Sequence, residues 1–242
     1  MSRLAFMLAG AIIMSVLHGP CVSGWVGAPL SSLSEALELD EGALYEVVVT
    51  TFSDDGSPHA AAMGCRFFEN ASTIILRPHV SSQTARNLSR TRCGVVNVAA
   101  PEFIVEAALD LGVVSMSFGV GEAVEAPVLC EAYAAVEFFV VEELRDDVWL
   151  QARCRPVAFR FRPRPQRPFS RPASLLVEAS VSLSRVEPFL SMNRGEEASR
   201  LWLEARALVE EAERLAGGAG VLGSLAGAVR RRLASLEWRI SL

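Results

Sequence analysis

The sequence contains no lysine, and all 23 of its basic residues are arginine. This absence excludes Schiff-base chemistry, a P-loop lysine and a catalytic ammonium group. The five cysteines are widely spaced without a CxxC pair, and only three histidines are present, so no metal site is expected. The four cysteines after Cys21 lie in apolar runs, where a free cysteine packs as a small hydrophobic residue. We therefore expect buried, reduced thiols.

The chain also lacks an excess of positive charge. Its formal net charge is −5 over 242 residues, which is unfavourable for nucleic-acid binding, although arginines cluster between residues 153 and 171. Hydrophobic residues make up 51% of the sequence and charged residues 21%, which indicates a compact globular protein. The length allows one large domain or one and a half. No nucleic-acid partner is expected.

The N-terminus carries the one long apolar run, Leu4 to Leu17, directly after Arg3. The run is typical of a secretory signal peptide, and it is shorter than the roughly 20 residues of a membrane span. A start codon assigned too far upstream is a further alternative. We expect residues 1–29 to be an extension outside the fold, without a stable membrane span. Because the remainder is typical of an intracellular enzyme, a cytoplasmic location is expected, with export left open.

The stretch from Thr73 to Val98 organises the chain. A β-branched run ends at Arg77-Pro78, Ser81 and Ser82 supply residues that favour a helix N-cap, and an apolar run begins at Val95. The pattern predicts a strand, a tight loop, a short helix over about 83–90 and a second strand.

This loop is a candidate anion site. The free N–H groups and the positive dipole end of a helix starting after Ser82 favour a phosphate, and Thr84 and Arg77 add donors. The alternative is that Ser81, Ser82 and Thr84 only cap the helix while Arg77 is a solvated strand end.

Two further β-rich segments precede this stretch. Residues 44–52 and 58–68 flank the turn Asp54-Asp55-Gly56, which predicts a hairpin. With 73–77 and 93–98 it gives four antiparallel strands. The second strand contains the small residues of Ala60-Ala61-Ala62-Met63-Gly64. They leave clearance for a planar ligand against the backbone, or else they pack tightly between a sheet and a helix.

The second half of the chain changes from β-rich to helical. Prolines at 163, 165, 168 and 172 mark the boundary. The predicted elements are a helix at 102–109, a strand at 113–120, a helix at 127–137, strands at 137–144 and 149–162, and helices at 172–186, 194–215 and 222–236.

Several segments together resemble a known family, the archaeal FMN-binding split-barrel proteins of unknown function. These proteins are related to the flavin reductases, the pyridoxamine-phosphate oxidases and the small FMN-binding proteins. The matching segments are Tyr45–Thr51, Gly56–Gly64, Leu76–Pro78, Gln83–Leu88 and Val95–Val98. The resemblance implies an α+β fold, with an antiparallel split β-barrel of the FMN-binding type in residues 30–163. It also implies a C-terminal helical annex in residues 164–242, packed on the barrel.

The resemblance also implies the site residues. The strand Ala61-Ala62-Met63-Gly64 corresponds to the one along the isoalloxazine, and the family has proline at the position of Ala62. Asn87 is implied on the phosphate or ribityl group. The phosphate-binding residues implied by the resemblance and by the helix start are Arg77, Ser82, Gln83 and Thr84.

The function implied is that of an FMN-dependent oxidoreductase of the flavin-reductase type, with a reductant such as NAD(P)H. The alternative is a non-catalytic flavin-binding or carrier protein. A homodimer is implied because the related families cover the flavin with a second subunit. FMN is the expected cofactor, with a deazaflavin left open. No catalytic residue is assigned, although His59 and His79 flank the proposed site. A third hypothesis, macromolecule recognition by the annex, rests on Arg230–Arg232 and the arginine-rich linker.

Overall fold

The computed structural model describes Cys21 and residues 24–163, 170–216 and 220–240. Most of the predicted N-terminal extension and residues 164–169 of the predicted linker lie outside this description. The chain divides into two compact units. The first contains the strands and two short helices, and the second contains four helices.

The elements of the first unit alternate between strands and short helices. They are β1 (Val26–Ala28), a 3-10 turn (Leu30–Ser32), α1 (Leu33–Ala36), β2 (Leu44–Phe52), β3 (Pro58–Phe68), β4 (Thr73–Leu76), α2 (Gln83–Thr91), β5 (Cys93–Val98), β6 (Phe118–Val120), β7 (Pro127–Leu129), β8 (Ala134–Arg145) and β9 (Leu150–Phe161). The second unit contains α3 (Pro101–Leu109), α4 (Arg171–Ser191), α5 (Gly195–Ala216) and α6 (Gly220–Ile240).

Six of the strands form a closed antiparallel barrel in the order β9-β4-β3-β2-β5-β8, with β8 pairing back onto β9. The predicted α+β split barrel is confirmed. β1 pairs with Phe159–Phe161 of β9, beyond the part of β9 that pairs with β4. This segment of the predicted extension is therefore part of the fold, contrary to the expectation that all of residues 1–29 lie outside it.

The barrel interior is filled by large apolar side chains that the strands contribute at alternate positions. On β8, Ala134, Val136, Phe138 and Val140 are all buried in this core. A smaller apolar cluster lies elsewhere in the first unit and includes Cys93, Val95 and Val128. Closure leaves the six-stranded sheet without a free long edge except where neighbouring strands differ in length.

The helix predicted at 127–137 is wrong. Pro127–Leu129 pairs with Phe118–Val120 as a two-stranded sheet, and β8 begins at Ala134. Tertiary hydrogen bonds decide the outcome, because the Thr50 hydroxyl donates to the Pro127 carbonyl at 2.5 Å and the Leu129 N–H donates to Asn97 at 3.0 Å. Periodicity alone did not reveal these partners.

The strand predicted at 113–120 is confined to Phe118–Val120. Its first part is held by the buried Glu106, whose carboxylate accepts the N–H groups of Gly112, Val113 and Val114 at 2.6–3.1 Å. Three donors from one short segment converge on one carboxylate, and this geometry is a loop rather than a strand.

The expectation of reduced thiols after Cys21 is wrong for Cys130. Cys21 and Cys130 form a disulfide across 109 residues of sequence, whereas Cys65, Cys93 and Cys154 are free and buried. Spacing gave no indication of this pair, because its two members are brought together only by the folded barrel. Cys21 packs so closely on Gly119 that a Cβ there would lie 2.7 Å from the Cys21 sulfur.

The second unit is a helical assembly with its own apolar core. Leu176, Leu201, Val209 and Leu225 are buried in it, and residues 100–115, which the sequence placed with the barrel, belong to this unit. The Trp202 indole N–H donates to the Leu233 carbonyl at 3.0 Å, which joins α5 to α6. Over the described ranges, no helix is long and apolar enough to cross a bilayer.

Candidate functional site

The two strands that flank β3 pair with different lengths of it. It pairs with β2 from Pro58 to Arg66, but β4 pairs only with Cys65–Phe68. No strand in the described part of the chain pairs with residues 58–64 on the β4 side. The backbone of Ala61, Ala62, Met63 and Gly64 therefore borders an open sheet edge, and all four residues are half-buried. An edge of this kind offers backbone donors and acceptors to a planar ligand.

Gly64 lies against the side chain of Leu44. A Cβ at Gly64 would lie 2.7 Å from Cδ1 of Leu44, so the missing side chain makes room for Leu44 on the neighbouring strand.

The helix predicted after Ser82 begins where expected. The Ser82 hydroxyl accepts the Ala85 N–H at 3.1 Å, and the Ser82 N–H donates to the His79 carbonyl at 2.9 Å. The hydroxyl is thus used in capping, as the alternative interpretation stated. The N–H groups of Gln83 and Thr84 have no acceptor within the helix, as is general for a first turn.

The start of α2 carries positive charge and no negative charge. It contains no acidic residue, and Arg86 lies just behind it. The Arg86 guanidinium donates to the Ser81 carbonyl at 2.5 Å and to Oε1 of Gln83 at 2.6 Å. Within the described ranges, no ion pair joins Arg86 to a carboxylate. A cation near the positive end of a helix is unfavourable, and an anion bound there would compensate it.

Two polar contacts fix α2 on the barrel. Nε2 of His59 lies 3.1 Å from the Thr84 hydroxyl oxygen, and Nδ2 of Asn87 donates to the Thr51 hydroxyl at 2.9 Å. His59 and Thr51 are direct cross-strand partners on β3 and β2. Since residues three apart lie on one helix face, Thr84 and Asn87 meet this cross-strand pair together.

The imidazole of His59 contacts this helix start through Thr84. Burial lowers the pKa of His59 below its ordinary value, and the positive charge of Arg86 lowers it further. The imidazole is therefore neutral near pH 7 and has a hydrogen-bonding rather than a charged role. Sequence reasoning noted His59 as a flanking residue and did not predict its contact with Thr84.

Asn87 and Gln83 are linked to each other. Oδ1 of Asn87 accepts Nε2 of Gln83 at 2.7 Å, and Asn87 is completely buried. Each amide therefore has both of its polar ends engaged within the protein, because Gln83 also accepts from Arg86.

Arg77 contacts Trp149, whose ring packs edge-on against His79 in the loop before α2 at 5.8 Å between centroids. Its guanidinium lies over the Trp149 ring at 6.0 Å. The pKa of nearby Asp146 is lowered chiefly by the N–H groups of Trp149 and Val148, and the charge of Arg77 contributes. The structure thus brings Ser82, Gln83, Thr84 and Asn87 together with His59 and Arg86, and gives Arg77 aromatic and acidic neighbours in the β8–β9 connection.

Residues 45–162 match a family model described as the N-terminal domain of a protein of unknown function, DUF447. The similarity to this family is confined to that part of the chain, slightly under half of its length. The match spans β2 to β9 and contains every predicted site residue. No curated protein matches the sequence.

A solved structure supports the fold. An FMN-bound protein of the DUF447 family from Methanosarcina mazei has 21% identity and a TM-score of 0.61, covering 82% of this chain and 98% of that one. Two other solved structures are less similar. Flavoredoxin of Desulfovibrio vulgaris (Miyazaki F) has 15% identity and a TM-score of 0.44, covering 55% of this chain and 78% of that one. The styrene monooxygenase flavin reductase of Pseudomonas putida S12 has 16% identity and a TM-score of 0.42, covering 50% of this chain and 82% of that one.

Proposed function

We propose that this protein binds FMN and is an oxidoreductase of the flavin-reductase type. The observation that carries the proposal is Arg86, a cation without a carboxylate partner among the described residues, at the acid-free start of α2. A phosphate group compensates this charge and accepts the free N–H groups of the first turn. The similar Methanosarcina mazei protein is FMN-bound, and its fold is shared.

The open edge of β3 accounts for the remainder of the cofactor. The backbone at Ala61–Gly64 can receive the edge of a flat ring system, and the alanine side chains do not obstruct it. FMN, when bound, would supply the redox chemistry, while the protein would supply position and electrostatics. The residues proposed to bind the phosphate are at the start of α2. On β3, Ala62 replaces the family's proline and so adds one backbone N–H near the ring.

Two functions fit such a site, a reductase and a non-catalytic flavin carrier. The described residues around the start of α2 include two imidazoles, His59, which is bonded to Thr84, and His79, whose Nδ1 lies 2.8 Å from the Ser81 hydroxyl oxygen. Neither is assigned acid–base chemistry. A reductase needs none from the protein if NAD(P)H delivers a hydride to the flavin. Oxidation of NADH or NADPH, followed at 340 nm with FMN and oxygen, separates the two. Turnover that depends on protein supports the enzyme, and its absence with both nucleotides in an FMN-loaded protein supports the carrier.

The protein is proposed to be a homodimer. Phe139 and Val141 on β8 have 39% and 49% of their surface exposed, which is unusual for large apolar side chains on a barrel wall. The competing possibility is that the helical unit of the same chain covers the flavin.

The disulfide bears on the cellular compartment of the protein. Disulfides persist in oxidising compartments and are rare in the cytosol, intracellular proteins of hyperthermophiles excepted. The Cys21–Cys130 bond therefore favours export, the alternative raised by residues 4–17, over the cytoplasmic location expected from the rest of the sequence. Thiol counting on protein isolated from its native cells under alkylating conditions tests this.

A further inference from the structure

We propose that Arg86 is the cation that binds the phosphate, and that Thr51, Asn87 and Gln83 act through it as positioning residues. This inference rests on the proposed FMN site and changes the roles within it. The resemblance had placed Gln83 and Asn87 in direct contact with the phosphate or ribityl group, and Arg77 as the cation.

A continuous chain of hydrogen bonds leads from the barrel to Arg86. The Thr51 hydroxyl accepts Nδ2 of Asn87 at 2.9 Å, Oδ1 of Asn87 accepts Nε2 of Gln83 at 2.7 Å, and Oε1 of Gln83 accepts Nη2 of Arg86 at 2.6 Å. A further bond from Nη1 of Arg86 to the Ser81 carbonyl fixes the other end of the guanidinium at 2.5 Å. Every link is made by side chains on β2, α2 or the loop before α2.

The solvent exposure of these four hydrogen-bonded residues increases from the barrel outward. Thr51 and Asn87 are completely buried, Gln83 is half-buried and Arg86 is exposed. The amide of Asn87 is bonded at both ends and completely buried, so it presents no surface to a ligand. Arg86, by contrast, uses two of its five N–H donors in these bonds and keeps three for a ligand.

The two arginines differ in their charge environment. Arg77 is near Asp146, and its guanidinium lies over Trp149. Arg86 has neutral oxygens as its recorded partners and lies beside the positive end of α2. Arg86 therefore gains more from a bound anion than Arg77 does.

These hydrogen bonds matter because an arginine side chain is flexible. A free arginine side chain loses rotamer freedom when it binds a ligand, and a guanidinium already held by two bonds loses less. Thr51 anchors the arrangement in the rigid barrel wall. Thr84 and Asn87, three residues apart on one face of α2, contact His59 and Thr51. These contacts hold α2, and with it Arg86, next to the open edge of β3.

The first test compares matched arginine substitutions. Dissociation constants for FMN and riboflavin are measured by quenching of flavin fluorescence in the full-length protein. Arg86→Gln is expected to weaken FMN about 10- to 100-fold, the effect of one charge-assisted hydrogen bond, and riboflavin less than about threefold. Arg77→Gln is expected to weaken FMN much less than Arg86→Gln does. Arg90→Gln is the control, because Arg90 lies on the same helix and is paired with Asp54.

The second test asks whether Thr51 acts through Arg86. Thr51→Val, which removes the hydroxyl and keeps the shape, is expected to weaken FMN about 3- to 10-fold in the wild-type background and less than about twofold in the Arg86→Gln background. Thr51→Ser is expected to restore FMN affinity. A purely structural effect would lower the affinity equally in both backgrounds, together with the melting temperature.

The outcomes separate this inference from the proposed function. A wild-type protein that binds neither FMN nor riboflavin overturns the proposed function itself. A wild-type protein that binds FMN, but loses it with Arg77→Gln and keeps it with Arg86→Gln, overturns the inference alone. Equal losses for FMN and riboflavin with Arg86→Gln would also overturn it, since the arginine would then not be reading the phosphate.

Discussion

The imidazole of His59 is 3.1 Å from the Thr84 hydroxyl and links β3 to the first turn of α2. This contact joins the two halves of the proposed site, the strand edge and the helix start. Because the His59 side chain is partly buried beside Arg86, its pKa is lowered, with burial the larger cause. The neutral form is the one compatible with this position.

The protein is expected to lose stability as the pH falls from 7.5 to 5. The unfolded state takes up a proton at His59 near its ordinary pKa of about 6.5, whereas the folded state does so only at lower pH, so the unfolded state binds more protons in this window. Urea unfolding at several pH values measures the effect. His59→Gln, which has no titratable group, should show a smaller loss than wild type over the same interval. An equal loss in both proteins would contradict the lowered pKa.

Reduction of the Cys21–Cys130 disulfide is expected to destabilise the first unit. The bond closes a loop of 109 residues, for which the chain-entropy model gives a contribution of about 4–5 kcal/mol. Guanidinium unfolding with and without dithiothreitol measures it, and Cys130→Ser should reproduce the reduced state. Cys93→Ser is the control, because Cys93 is free and buried, and it should retain the full effect of the reductant. Five free thiols in the oxidised, denatured protein would contradict the bond.

Glu137 is expected to be far more important to stability than an exposed glutamate. Its buried carboxylate accepts the N–H groups of Glu122, Ala123 and Val124 and pairs with Arg160 at 3.2 Å. Glu137→Ala would leave these donors unpaired and should cost at least about 3 kcal/mol. Chemical denaturation monitored by circular dichroism measures the cost.

The matched comparison for Glu137 is Glu197, which pairs with Arg194 on an exposed helix surface. Glu197→Ala should change stability little, because exposed ion pairs are screened by solvent. Similar losses for both substitutions would show that the carboxylate of Glu137 does not hold the 121–126 loop.

The proposed dimer should depend on the outer face of β8. Introducing a charge with Val141→Glu, or with Phe139→Glu, should lower the mass found by light scattering from two chains to one, since both side chains are exposed apolar groups. Leu203→Glu is the control, because Leu203 is equally exposed on α5. A wild-type monomer that holds FMN tightly would contradict the dimer and leave closure by the helical unit as the alternative.

Much of the barrel could be predicted from sequence because its strands and turns carry local signals. β2, β3 and β5 have the predicted bounds, since β-branched residues and the Asp54-Asp55-Gly56 turn define them without tertiary information. Residues 113–117 and 127–137 were mispredicted because their conformation is set by distant partners. Glu106 decides the first part, and Thr50 with Asn97 decides the second.

The site was predictable as a location, while the roles of its residues were not. Ser82 marked the helix start, and the resemblance identified Thr84 and Asn87. Their contacts with His59 and Thr51 need the register of the β2–β3 hairpin, which pairs these two residues directly. That register follows from the turn and was available as a signal. The position of Arg86 was not, because it depends on side-chain hydrogen bonds that no spacing rule specifies.

The central claim is FMN binding at the start of α2, and titration of the full-length protein with FMN and with riboflavin tests it most directly. We expect a dissociation constant for FMN well below 100 μM, which corresponds to more than about 5 kcal/mol of binding. We also expect a visible flavin spectrum in the complex and weaker binding of riboflavin. Thr84→Ala should weaken FMN more than riboflavin, because we propose that its hydroxyl contacts the phosphate. Absence of FMN binding at 100 μM, or equal affinity for the two flavins in the wild-type protein, would contradict the account.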